Sequence, residues 1–464
     1  ISILLPITYG MEPATAIIMI AGIYYGAQYG GTITSVLLNL PGESTTVVTT
    51  FDGYQMARQG RAGPALAIAA IGSFIGGTIS ILGLSFVAPV VAGFALDFGP
   101  PEYAALALLG ILLVSTLGTG STVKCLVAAC VGLLFATVGQ DNFVSGERFT
   151  FGSLALVDGI DFVPLAMGLF GLGEILYDLE RRARQSLTMP GVGRAWIGKL
   201  DWVKSRAAIA RGTVIGFFIG VLPGGGATLA SLISYATEKR TAKKPQEFGR
   251  GAIAGVAGPE TANNAAATSS FIPLLTLGIP ANATMAVLYG ALLLQGIPPG
   301  PRLINEHPDV FWGFVASMYV GNLMLLALNL PLVSLFVSVL RIPYAYLYPL
   351  IIMFCVIGVY EVNHSIVDVW IMLIMGVVGY GLKKFGFDPA PLVLGLVIAP
   401  IFEMSLRQSL IMSDGHWEIF VERPIAAVLL TASAGLLTLA AIGLFTRRKD
   451  WRRKLAEAEA SEGK

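Results

Sequence analysis

Charge-free apolar runs of bilayer length recur along this chain, and they leave it few ways to fold. They occupy residues 13–42, 62–96, 103–123, 212–237, 261–301, 310–340 and 424–446. Shorter runs lie at 125–140, 162–173, 342–360, 369–382 and 389–402. A helix that crosses a bilayer needs about 20 mostly apolar residues. Lipid offers no water to stray backbone groups, so only helices and closed barrels span it. Barrel strands would alternate in polarity over about 10 residues, and these runs do not alternate. The expected fold class is all-α: a polytopic membrane protein with about 11–13 membrane-inserted segments, some of half length. Composition agrees. The chain is 55% hydrophobic and 13% charged, against about a quarter charged in soluble domains. A net charge of +1 excludes a basic nucleic-acid binder. Cys125, Cys130 and Cys355 all lie in apolar runs, where they read as small hydrophobes and not as a disulfide framework.

Lys and Arg set the orientation, because cytoplasmic loops carry them in excess. Residues 56–62, 178–211, 238–250, 341, 383–384 and the tail from 447 hold 25 of the 30 basic residues. The opposite loops hold only Arg148, Arg302 and Arg423, so the first group and the C-terminus are expected in the cytoplasm. This divides the chain into a first membrane repeat (1–177), a basic cytoplasmic linker (178–211), a second repeat with peripheral helices (212–446) and a cytoplasmic tail (447–464). The tail reads as a solvated helix over anionic headgroups. The chain opens at Ile1 inside an apolar stretch, which suggests that residues preceding it belong to the protein.

Gly and Pro interrupt the apolar runs in two matching places. The first is Tyr29-Gly30-Gly31-Thr32 followed by Leu38-Asn39-Leu40-Pro41-Gly42-Glu43-Ser44-Thr45-Thr46. The second is Pro259-Glu260-Thr261-Ala262-Asn263-Asn264 followed by Leu277-Gly278-Ile279-Pro280-Ala281-Asn282-Ala283-Thr284. Pro removes a donor and clashes with the preceding turn, and Gly lets backbone approach a ligand. The pair predicts broken helices or re-entrant hairpins in two inverted repeats. Freed backbone groups survive at membrane depth only beside protein or a wet cavity. Paired discontinuous helices are the best sequence pointer to a transporter's midplane site. Half-helix N–H groups suit a carboxylate, and freed carbonyls suit a cation.

The remaining ionisable groups within apolar segments are functional candidates by default. Glu43 and Asp52 flank the first interruption and Glu260 opens the second. Asp52 reads as a loop cap. Glu403 and Arg407 are spaced to pair on one helix face and read as structural. Lys124 either snorkels towards the cytoplasmic interface or meets a substrate carboxylate. His307, His364 and His416 fall in outer loops with no metal-ligand spacing. Leu222-Pro223-Gly224-Gly225-Gly226-Ala227-Thr228 lacks the Lys-Ser/Thr ending of a phosphate loop, so no nucleotide-driven machinery is visible. Two other classes are weighed. An intramembrane enzyme would need Glu260 and His364 to meet in a wet cavity. A channel would want a ring of identical ligands, which asymmetric repeats do not supply.

The chain resembles the large membrane subunit of the tripartite tricarboxylate transporters of bacteria. The resemblance rests on YYGAQYGGTITSVLLNLPGE (24–43), FDGYQMARQGRAGPALAIAAIGSFIGG (51–77), TVGQDNFVSGERFTFG (137–152), LPGGGATLASLISYATEKR (222–240), GVAGPETANNAAATSSFIPLLTLGIP (255–280) and FEMSLRQSL (402–410). It implies a secondary transporter of the bacterial inner membrane that holds the translocation path. Its partners would be a periplasmic substrate-binding protein and a small membrane subunit of about four helices. Uptake of a small carboxylate would be driven by Na⁺, or by H⁺, with no organic cofactor. Three positions depart from the family's pattern. Its first Leu-Pro-Gly stretch would precede Ile1, Ala281 stands where Gly is common, and Asp141-Asn142 replaces Asp-Pro.

Together these readings assign substrate contacts to Asn39, Pro41, Gly42, Ser44, Thr45, Thr46, Pro280, Asn282 and Thr284. Cation coupling falls to Gly30, Gly31, Asn263, Asn264 and Gly278, with Glu43, Lys124 and Glu260 as additional candidates. Rigid movement of one bundle past the other, preferably as an elevator, would alternate access.

Overall fold

The computed structural model describes residues 2–39, 41–117, 121–141, 143–144, 146–182, 195–222, 226–333, 335 and 344–442. The described chain is helical apart from one two-residue strand pair, β1 (Gly139–Gln140) and β2 (Glu147–Arg148), joined antiparallel. Among the described residues six helices are long and apolar enough to cross a membrane: Ala62–Ala95, Phe162–Glu180, Pro308–Asn329, Ile366–Lys384, Ala390–Met412 and Pro424–Ile442. Four shorter apolar helices accompany them, at Pro100–Thr116, Thr122–Phe135, Thr284–Leu294 and Tyr348–Asn363. The molecule is a multi-pass membrane protein of the all-α class.

The first interruption follows α1 (Pro13–Leu38), which ends when Asn39 turns left-handed at φ 55°. Asn is one of the few residues that tolerate that conformation at a helix end. A single turn at Ser44–Thr46 then leads into the 12-residue α2 (Val47–Arg58), and α3 (Ala62–Ala95) follows. Next come α4 (Pro100–Leu117) and α5 (Thr122–Phe135). α6 (Phe162–Ala166) passes through a π-helical stretch, Met167–Leu172, into α7 (Gly173–Arg182).

The second half opens with α8 (Lys199–Val221) and α9 (Gly226–Thr241). α8 crosses the 211/212 boundary drawn from charge, because Lys and Arg are good helix formers and extend an apolar helix into water. α10 (Ala254–Ser269) and α11 (Phe271–Leu277) lead to the second interruption, where Gly278 is left-handed at φ 69°. Another 12-residue helix, α12 (Ala283–Leu294), follows, with Asn282 capping it through Met285 N–H at 2.9 Å. Then come α13 (Leu303–Glu306), α14 (Pro308–Asn329), α15 (Tyr344–Asn363), α16 (Ile366–Lys384), α17 (Ala390–Met412), α18 (Ile419–Glu422) and α19 (Pro424–Ile442). The tail from 447 and residues 183–194 of the basic linker lie outside the described residues.

α10 organises the half of the molecule that matters here. Its sequence, AGVAGPETANNAAATS, is polar for a membrane segment, yet every residue from Gly255 to Ser269 is buried. A helix buried on all sides meets protein and not lipid. It runs unbroken through Pro259. α8 packs along it through Gly212, Gly216 and Gly220, spaced four apart so that they share one face. A Cβ on Gly216 would sit 2.4 Å from the Ala262 carbonyl oxygen. Small residues at such spacing let membrane helices approach closely. α3, α9, α1 and α2 complete the enclosure.

Candidate functional site

α1 forms the floor on which both interruptions rest. The first loop folds back along the helix that precedes it. Gly42 lies so near Gly31 that a Cβ there would be 2.4 Å from the Gly31 Cα. Three hydrogen bonds fasten the turn. Thr45 Oγ1 donates to Gln28 Oε1 at 3.2 Å, Ser35 Oγ to Thr46 Oγ1 at 2.8 Å, and Glu43 N–H to Thr46 Oγ1 at 3.3 Å. The second loop reaches the same helix, where Asn282 Nδ2 meets Tyr24 Oη at 3.4 Å. Tyr24 and Gln28 are spaced i, i+4 and share a helix face about one turn apart, roughly 6 Å. The N-terminal ends of α2 and α12 are therefore brought to neighbouring positions on one face of α1. Helix N-termini present unpaired N–H groups and a positive dipole end, a setting for a carboxylate.

The assigned residues divide by exposure. Asn39, Pro41, Gly42 and Ser44 are exposed, whereas Thr45, Thr46 and Pro280 are buried and Asn282 and Thr284 are half-buried. Gly30 and Gly31 do not unwind α1, which is helical to Leu38. Their carbonyls are thus not freed. Gly31 serves the close approach of Gly42 instead. Asn263 and Asn264 likewise sit inside the continuous α10, and only their side chains are available. Gly278 ends α11 and lies against the Pro299 carbonyl.

A polar cluster beneath the first loop joins the two halves of the chain. Glu260, 1% exposed, accepts from the Thr32 hydroxyl of α1 at 2.8 Å and from the Thr49 hydroxyl of α2. Asn264 Nδ2 donates to Ser73 Oγ of α3 at 2.6 Å, and Ser73 Oγ to the Glu260 carbonyl at 3.3 Å. Tyr29 donates to Asn322 Oδ1 at 2.6 Å. The Asn263 side chain is buried beside the Glu260 carboxyl, and its Oδ1 has no donor.

Sequence reasoning assigned no role to Thr32, which it noted, or to Thr49, Ser73, Gln28 and Tyr24. It also passed over Thr228, whose hydroxyl lies 3.1 Å from that of Ser44. Thr228 brings the start of α9 to the first loop. The run 222–228 was read only for a phosphate loop that it lacks, and Pro223, Gly224 and Gly225 lie outside the described residues.

Other candidates stand apart from this cluster. Lys124 donates to the Phe385 carbonyl at 2.5 Å and lies over the Phe387 ring, a cation capping the end of α16. Asp52 is a loop cap, accepting from the N–H groups of Gly249, Gly251 and Ala252 and from the Tyr235 hydroxyl. His364 stacks its ring edge near Tyr360, just past α15, and no contact joins it to Glu260 among the described residues.

Glu403 and Arg407 do pair on one face, at 3.2 Å, within a larger outer network. Arg148 donates to Glu403 at 2.7 Å and Arg407 to Asp141 at 2.8 Å, pinning the loop that carries β1 and β2. The Phe143 N–H, with Arg407 and the Val144 N–H, holds the Asp141 carboxyl well below its usual range, at about 2. A depressed carboxyl contributes in full above its ordinary value and loses that contribution as pH falls towards the native one. The loop is expected to resist pepsin near Phe143 at pH 4 and to be cut as pH approaches 2. Asp141→Asn would be cut at both. Equal cutting of the wild type at both pH values would contradict this.

Comparison with known proteins gives the chain its relatives. Residues 1–394 match the model of the family described as "Tripartite tricarboxylate transporter TctA family". An Agrobacterium vitis protein described as "Uncharacterized 52.8 kDa protein in TAR-I ttuC' 3'region" is 50% identical over 450 residues, covering 97% of this chain and 90% of that protein. A second, "Uncharacterized protein in TAR-II ttuC' 3'region", also from Agrobacterium vitis, is 52% identical over 235 residues. That match covers 51% of this chain and 97% of that protein.

Proposed function

The chain belongs to the tripartite tricarboxylate transporter TctA family, and from that premise we propose that it is the large membrane subunit of a binding-protein-dependent importer of small carboxylates. It acts in the bacterial inner membrane with its C-terminus in the cytoplasm. A periplasmic binding protein delivers the acid, and a small membrane subunit of about four helices accompanies the large one. A Na⁺ or H⁺ gradient drives uptake.

The observation that carries this reading is the convergence of the two interruptions on α1, through Thr45 on Gln28 and Asn282 on Tyr24. Each interruption leads into a 12-residue helix, the pattern expected of two inverted repeats with re-entrant segments. The substrate carboxylate would lie between the starts of α2 and α12. Ser44, Thr45 and Thr46 would serve it from one side, Asn282 and Thr284 from the other. The N–H groups there supply positive potential without Lys or Arg, which suits a group that must be released on the far side. Movement of the two short helices together, as an elevator, would carry the acid across.

The test is uptake of radiolabelled di- and tricarboxylates into proteoliposomes holding both membrane subunits and fed by the loaded binding protein. Wild-type uptake should require an ion gradient. Asn282→Ala and Thr45→Val should each raise the half-saturating concentration about tenfold, the worth of one hydrogen bond to a charged group. No uptake under any gradient, or an unchanged half-saturating concentration in both variants, would end the proposal.

A further inference from the structure

We infer that Glu260 is the anionic ligand of a Na⁺ site, completed by the hydroxyl oxygens of Thr32 and Thr49 and the amide oxygen of Asn263. The inference rests on the importer reading, since it names the coupling ion and the place that ion occupies.

Glu260 is a buried carboxylate without a cation beside it among the described residues. Each element packed against α10 can be checked in turn. α1, α3 and α11 carry no charged residue. On α8, Arg211 is bound through two nitrogens to Glu238 of α9, at 2.7 and 2.6 Å. The remaining basic residues of α8, Lys199, Lys204 and Arg206, lie in its first half, and those of α9, Lys239 and Arg240, in its last turn. On α2, Asp52 is consumed by the 249–252 loop, and Arg58 ends the helix. The charge at the head of α2 is Glu43, another acid. An ionised carboxylate cannot stay so enclosed without a positive partner.

Asn263 supplies the second observation. It lies three residues beyond Glu260 and so on the same helix face. It is 1% exposed, its amide lies beside the Glu260 carboxyl, and its Oδ1 has no donor. Buried amides are almost always satisfied, so this one is short of a ligand. A bound H⁺ would make Glu260 a donor that the Asn263 oxygen can accept, whereas a metal cation would be held by both oxygens, and only the cation is detected as bound ²²Na⁺. Carboxylate, hydroxyl and amide oxygens are the donors that hard cations prefer. A cavity the size of one water, about 10 Å³, touches Thr32 and Ser73, both of which bond to Glu260. The donors come from α1, α2 and α10, so a bound ion would tie the first interruption to the second half.

The experiment is equilibrium binding of ²²Na⁺ to the purified wild-type subunit in nanodiscs, without substrate, at fixed pH. Saturable binding that K⁺ does not displace is expected. Glu260→Gln, which keeps the size and loses the charge, should weaken it by at least about 30-fold. Thr49→Val should weaken it about tenfold and serves if the Gln variant fails to fold. Undiminished ²²Na⁺ binding in either folded variant overturns the site. So does absence of binding at molar Na⁺ alongside uptake driven by pH alone, which would leave the importer reading standing. Na⁺ binding at Glu260 with no carboxylate uptake would instead remove the importer reading and keep the site.

Discussion

Gly42→Ala should reduce carboxylate uptake to background while the protein still inserts and purifies. The added methyl carbon would lie 2.4 Å from the Gly31 Cα, 2.7 Å from Thr34 Oγ1 and 2.9 Å from the Gly31 carbonyl oxygen. Two of these are backbone atoms of a continuous helix and cannot rotate away, so the loop itself must lift off α1. Overpacking of this kind costs about 1–3 kcal/mol, and each 1.4 kcal/mol of lost positioning is about a factor of ten in rate. Lifting also pulls Thr45 from Gln28, Thr46 from Ser35 and Ser44 from Thr228, which moves the start of α2 away from that of α12. Gly31→Ala is the control. Its Cβ would meet nothing nearer than 3.4 Å, so uptake should be retained. Loss of uptake in both variants, or in neither, would show that the packing of the loop on α1 does not set the site.

That contrast also shows where the sequence stops speaking. The interruptions at Pro41 and Pro280 were legible because the chemistry of Pro, Gly and Asn at a helix end is local. Asn39 turns left-handed where its neighbourhood says a helix must stop. Gly30-Gly31 carries the same local signal and means something else. A glycine that unwinds a helix and a glycine that receives another segment look alike in one dimension. The deciding partner, Gly42, lies in the returning chain. Hydroxyls are ambiguous for a related reason. Ser85, Ser115 and Thr213 donate to the carbonyl four residues back in their own helices. Thr32 and Thr49 reach across to Glu260 instead, and nothing in their local sequence distinguishes them. The run 261–301 reads as a span by length alone, and α10, which enters it, is enclosed by protein. Its Glu and two Asn gave the hint, since no lipid-exposed helix carries such groups at low cost.

That enclosure makes Gly216→Leu a severely damaging change. The Cβ alone would come within 2.4 Å of the Ala262 carbonyl oxygen, 2.7 Å of the Ala265 Cβ and 2.8 Å of the Ala262 Cα. Two of the three atoms belong to the backbone of α10. Gly212 and Gly220 are equally tight against Gly258 and Ala266 on either side, so α8 cannot tilt away at one point without opening the others. Small residues are what permit this approach in lipid, where van der Waals contact and not water exclusion holds helices together. A Leu there would separate α8 from α10 along most of their length and cost several kcal/mol. It would displace the helix that presents Glu260, Asn263 and Asn264. The expected result is little or no monodisperse protein after extraction, with uptake absent. Gly93→Leu, in α3 where no atom lies within 4 Å of the added Cβ, should extract like the wild type. Normal yield and uptake for Gly216→Leu would mean that α8 and α10 do not pack as tightly as the geometry requires.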